Sequence, residues 1–145
     1  MTETVKVLLV DEEAVKLGDS IQEMLNSLAL DSGPYDLQCC TNFLQALSML
    51  EGMDLVLVGV DLTIEYMPER YRDFLPQIDE EYVGYRLIRY IRDEYPGIKT
   101  IALATFSGCK EAPPGEETVA REKGAGGFVV KPFRAMELIE TIQRV

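Results

Sequence analysis

Histidine and tryptophan are absent from the 145 residues, and cysteine occurs only three times. Without histidine the chain cannot build a Ser-His-Asp triad, a histidine metal site or a phosphohistidine. An odd cysteine count with no CxxC pair argues for a reduced, cytoplasmic protein. Positive charge is scarce: 14 Lys and Arg stand against 25 Asp and Glu, a net charge of -11. Such a surface repels phosphate backbones and anionic lipid, so neither nucleic acid nor membrane is an expected partner. No apolar run approaches the ~18 residues of a membrane span, and Met1–Leu8 is too short and polar for a signal peptide. What remains is 47% hydrophobic and 27% charged, an ordinary soluble composition, and the length suits a single domain over 1–145.

The apolar residues come in short runs separated by helical patterns. Val5–Val10 (VKVLLV) reads as a buried strand that ends in Asp11-Glu12-Glu13. Ala14, Val15, Leu17, Ile21, Met24, Leu25 and Leu28 follow at helical spacing as one buried stripe, until Ser32-Gly33-Pro34 breaks the pattern. Asp36–Cys40 is a second strand, in which Cys39 and Cys40 face opposite sides and read as small buried thiols. Thr41 or Asn42 can cap a helix over Phe43–Leu50, which Gly52 stops. Leu55–Val58 is a continuous branched run suited to a central parallel strand.

A helix is expected over Val83–Tyr95, with Leu87, Ile88 and Ile91 on one face and Pro96-Gly97 at its end. Ile98–Ala104 is a fourth strand. Glu116–Lys123 is a short helix capped by Gly124, and Phe128–Val130 is a fifth strand. Phe133–Val145 is a final helix buried through Met136, Leu138, Ile139 and Ile142. Five strands alternating with helices imply an α/β, doubly wound, five-stranded parallel sheet with right-handed crossovers. Chemistry in such sheets collects beyond the C-terminal strand ends.

Those ends carry Asp11-Glu12-Glu13, then Gly59-Val60-Asp61, Thr105-Phe106-Ser107 and Lys131-Pro132-Phe133. Carboxylates with water suit a hard cation such as magnesium. A lysine and a hydroxyl suit an oxyanion such as a phosphoryl group.

With these residues assembled, the chain resembles the receiver domains of two-component response regulators. VLLVDEE resembles the first strand and acidic pair, DLVLVGVDL the third strand, TIALATFSG the fourth, and GAGGFVVKPF the fifth with its Lys-Pro-Phe ending. The resemblance covers nearly the whole chain and implies a flavodoxin-like fold with strand order 2-1-3-4-5. It implies a phosphorelay role without enzymatic turnover of a substrate. An aspartate on the third strand would take a phosphoryl group from a phosphohistidine on a histidine kinase or phosphotransfer protein. By position, Asp11 and Glu12 would hold magnesium, with Asp61 as a third metal-site candidate. Lys131 and Thr105 would form the catalytic pair, Lys131 contacting phosphoryl oxygens and Thr105 reporting phosphorylation to the switch aromatic Phe128.

The acceptor position departs from the family pattern. The acceptor follows five residues after the aspartate that opens the third strand; here that opener is Asp54, and the fifth residue on is Gly59. Glycine cannot be phosphorylated. Asp61 shares its parity but stands roughly 6–7 Å further along if the strand continues. The reading is therefore an atypical, pseudo-receiver domain not phosphorylated in the usual way, acting by contact with a downstream protein. The alternative is a conventional magnesium-dependent receiver using Asp61, which brings in the cation and a phosphoryl donor.

A longer segment, Thr63–Tyr82, separates the third strand from the next helix, where the family needs about ten residues. It holds six acidic and two basic residues, three tyrosines and Phe74. It reads as a surface insertion or, since it leaves from the site, as a cap over the strand ends. A weaker alternative, a small phosphotransferase or phosphatase, needs a nucleophilic aspartate followed closely by a general-acid aspartate at the first strand. Here the residue two positions after Asp11 is Glu13. The length leaves no room for an attached output domain, so the expected output is docking.

Overall fold

Five parallel strands form the centre of the computed structural model. They are β1 (Val5–Val10), β2 (Tyr35–Cys40), β3 (Leu55–Gly59), β4 (Lys99–Thr105) and β5 (Gly127–Lys131). Around them run α1 (Ala14–Ser32), α2 (Phe43–Met49), α3 (Val83–Glu94), α4 (Glu116–Lys123) and α5 (Ala135–Arg144). The structure describes residues 4–11, 13–32, 34–59, 83–105, 116–131 and 134–145. Glu12, Asp61, Cys109 and the segment 63–82 lie outside the described residues. The strand order is β2-β1-β3-β4-β5, the flavodoxin-like order, and every pair is parallel. No helix among the described residues is long and apolar enough to cross a membrane.

Strand alternation divides the core between the two sheet faces. Val7, Leu9, Leu55, Leu57, Ile101, Leu103 and Val129 lie on one face, packed with Ile21 and Leu25 of α1 and Leu138 of α5. Leu8, Val10, Val56, Val58, Ala102 and Ala104 lie on the other, packed with Phe43 and Ala46 of α2, Leu87, Ile88 and Ile91 of α3 and Ala120 of α4. Both faces are covered, which is why the central strands read as unbroken apolar runs.

Local chemistry explains most element ends. Asn42, rather than Thr41, caps α2: its side chain accepts from the Gln45 N–H at 2.9 Å. Gly124 ends α4 at φ 121°, a left-handed conformation available to glycine at little cost. The Ala125 N–H then returns to the Ala120 carbonyl at 3.0 Å. Asp54 ties three strands at their N-terminal edge. Its N–H donates to the Lys6 carbonyl at 2.9 Å, its carboxylate accepts from the Lys6 N–H at 2.8 Å, and its carbonyl accepts from the Lys99 N–H at 3.1 Å.

Three expectations about burial fail. Val15 is 85% exposed and Met136 is 60% exposed. A helix turns about 100° per residue, so Val15 cannot share the inward direction of its buried neighbour Ala14, nor Met136 that of Leu138. Cys39 is exposed while Cys40 is buried. Here β2 is an edge strand, and α1 presents Gly18 to Cys39, where a side chain of any size would stand 3.1 Å or closer to the thiol sulfur. Smaller shifts occur at boundaries: β3 runs one residue further than expected, through Gly59, and α5 starts at Ala135 rather than Phe133.

Candidate functional site

Sheet register brings the expected residues to one edge. Val10 of β1 pairs with Val58 of β3 and with Cys40 of β2, so Asp11 and Gly59 each stand one residue further on. The Asp11 N–H donates to the Cys40 carbonyl at 3.2 Å, which extends the β1–β2 ladder to Asp11. Gly59 pairs with Leu103, and Leu103 with Val129. Two residues beyond, Thr105 of β4 pairs with Lys131 of β5. The backbone thus places Thr105 and Lys131 side by side on the same edge as Asp11 and Gly59. Phe128 pairs with Ala102 and packs, partly buried, against the core beneath α3 and α4.

At this edge Asp11 is only 1% exposed. One carboxylate oxygen, Oδ1, accepts from the Glu13 N–H at 2.8 Å, and the Asp11 carbonyl accepts from the Ala14 N–H at 2.9 Å. The pair of bonds closes an Asx turn that leads the chain out of β1 and into α1. The other oxygen, Oδ2, leans over Gly59. A Cβ added to Gly59 would stand 2.5 Å from Oδ2 and 2.9 Å from Cγ of Asp11. Glycine at 59 is therefore more than the loss of an acceptor: its missing side chain is the space the Asp11 carboxylate occupies.

That point was not drawn from the sequence, although a signal for it was present. A lone glycine inside a central apolar strand marks a place where another group approaches the backbone closely. Reading Gly59 only as a missing aspartate passes over that meaning.

The described residues do not make a magnesium site. Among them no group of three or more histidine, cysteine, aspartate or glutamate side chains is placed to hold a metal ion. Asp11 contributes one carboxylate, already engaged with the Glu13 N–H. Gly59 offers no side-chain ligand, and the other two expected metal-site residues, Glu12 and Asp61, lie outside the described residues.

The thiols of Cys39 and Cys40, beside the site, both favour the protonated form. Burial pushes the Cys40 thiol up to about 11, against an opposing hydrogen bond with the Asn42 backbone. Cys39 is also raised, by partial burial and then by the negative charge of Asp19. Neither is a stabilised thiolate.

Comparison with known proteins agrees with this geometry. No protein-family model and no curated protein matches the chain. Solved structures do. A response regulator from Thermotoga maritima is 23% identical, with 97% of this chain matched to 96% of that one at a TM-score of 0.68. A CheY-like response regulator receiver domain protein from Methanospirillum hungatei JF-1 is 20% identical over 97% of this chain and 92% of that one, again at 0.68. A Burkholderia pseudomallei response regulator, solved with a phosphorylated aspartic acid, calcium ion and citrate, is 18% identical over 96% of this chain and 66% of that one, at 0.63. The chain has the fold of the response regulator receiver domain.

Proposed function

We propose that this chain is a receiver domain of a signalling phosphorelay that acts by protein–protein contact and is not phosphorylated at the usual position of its fold. The observation that carries the reading is Gly59. It sits buried at the C-terminal end of β3, where a receiver holds its acceptor aspartate, and the Asp11 carboxylate lies against it. The receiver fold of the neighbours supports the signalling role. The pairing of Thr105 with Lys131 supports descent from a phosphoryl-binding edge whose acceptor was lost.

On this reading the domain is a cytoplasmic signalling module rather than an enzyme. Its partner is a histidine kinase or phosphotransfer protein that docks without transfer, or a downstream protein that reads its surface. Phe128, packed against the core under α3 and α4, is the residue through which a partner on that side would sense the sheet.

Incubation with acetyl phosphate and magnesium, followed by intact-mass and peptide analysis, tests the proposal. No base-labile phosphoryl adduct is expected. A stoichiometric adduct on Asp61 would overturn it in favour of a conventional receiver with a displaced acceptor.

A further inference from the structure

We propose that Asp11 and Gly59 form a metal-independent steric lock, in which the Asp11 carboxylate is a structural plug over β3 rather than a divalent-cation ligand. The inference rests on the receiver reading above and deepens it. It assigns the Asp11 carboxylate one fixed role at this edge, independent of cation.

Three observations carry it. First, the backbone gives Gly59 no reason to be glycine: among the described residues only Gly52 and Gly124 have positive φ, and Gly59 lies within a regular strand paired to Leu103. An alanine there would meet no conformational penalty, and it would lose less chain entropy on folding. Second, the one group a side chain at 59 would strike is Asp11, at 2.5 Å from Oδ2 and 2.9 Å from Cγ. Such approaches force something to move. Third, Asp11 cannot move cheaply. It is 1% exposed, its side chain has only two rotatable bonds, and its Oδ1 is held by the Glu13 N–H at 2.8 Å. Turning the carboxylate away from β3 would open the Asx turn that starts α1. A ligand set for magnesium needs several oxygens converging at about 2.1 Å with freedom to adopt octahedral geometry. A buried carboxylate that closes a turn and fills a strand's missing side chain is committed elsewhere.

The lock makes a prediction with a change of sign. In the natural sequence Gly59→Ala lowers Tm by about 5 °C, as overpacking does in a domain of this size. In an Asp11→Ala background the same Gly59→Ala change no longer lowers Tm, and raises it slightly, because only the entropy gain remains. Asp11→Ser provides a second background that shortens the side chain while keeping an oxygen able to accept from Glu13. Equal destabilisation by Gly59→Ala in all three backgrounds would overturn the lock, as would a neutral Gly59→Ala in the natural sequence.

Magnesium provides a second readout, taken first on the natural protein. Thermal unfolding of the natural protein in millimolar magnesium is expected to match that in chelator. A magnesium-dependent rise in Tm that Asp11→Asn abolishes would overturn the assignment, since a ligand bound only by the native state must stabilise it. Acetyl phosphate labelling separates the two proposals. An adduct on Asp61 with the sign change intact removes the reading of an unphosphorylated receiver and leaves the lock standing. No adduct with equal Gly59→Ala costs in every background removes the lock alone.

Discussion

Two aspartates stand at opposite ends of the same sheet, and both hold strands and turns together through their carboxylates. Asp54, at the N-terminal edge, accepts from the Lys6 N–H at 2.8 Å in an exposed position. Asp11, at the C-terminal edge, accepts from the Glu13 N–H at the same distance but is almost wholly buried, with Gly59 beneath it. The hydrogen bonds are alike; the surroundings are not. Water can replace the bond that Asp54 makes, whereas the Asp11 carboxylate is itself shut away from water. Water also leaves room around Asp54, while Asp11 sits in a space that fits it only because residue 59 has no side chain. One aspartate is a replaceable fastening and the other is coupled to its neighbour.

The largest way to break this contrast is to fill the space at 59. Gly59→Val is expected to cost about 3 kcal/mol in urea unfolding, since a branched side chain cannot enter without expelling Asp11. Removing the plug comes next. Asp11→Ala should cost about 2 kcal/mol, the range for a hydrogen bond to a charged group, with the Glu13 N–H losing its side-chain acceptor. The matching change at the other edge should be milder: Asp54→Ala at about 1 kcal/mol. Asp54→Asn should be close to neutral, because an amide oxygen still accepts from Lys6. If the two alanine variants cost the same, the distinction between the edges fails.

The smallest effect concerns the strand that anchors Asp11. The Cys40 carbonyl receives the Asp11 N–H, and burial holds the Cys40 thiol protonated up to about 11. The folded protein therefore keeps this proton at a pH where the unfolded chain, with an ordinary thiol near 9.0, releases it. The contribution is complete below the unfolded value and is lost as the pH rises through about 11. The stability gap between the natural protein and Cys40→Ala should narrow over that span in pH-dependent unfolding. In the native state, maleimide should modify the exposed Cys39 before Cys40, as read by peptide mapping.

Much of this molecule was legible in the residues themselves. The runs at Val7–Val10 and Leu55–Val58 are apolar throughout because both sheet faces are covered, so their shortness and branched residues separate them from the amphipathic helices. The ends of α2 and α4 were legible because their signals, Asn42 and Gly124, act within a few residues. Val15 and Met136 were misread because apolar character does not report helix direction within one or two residues of a buried position. Cys39 was misread because an edge strand differs from a central one only in what lies beside it.

The candidate site divides along the same line. The residues at the strand ends follow from local patterns, and the strand order followed from the resemblance to receiver domains, so Asp11, Gly59, Thr105 and Lys131 were assigned to one edge without the tertiary structure. Their relation to one another did not follow. That Asp11 fills the place of an absent side chain at Gly59 depends on β1 and β3 lying side by side in register. The two residues are 48 positions apart in the chain, and only packing across the sheet brings a carboxylate to within 2.5 Å of where a Cβ would stand. The residue types and their order were thus determined by the sequence. Tertiary structure decided that the glycine is a space already occupied, because steric exclusion acts between neighbours in space and leaves no trace in local pattern.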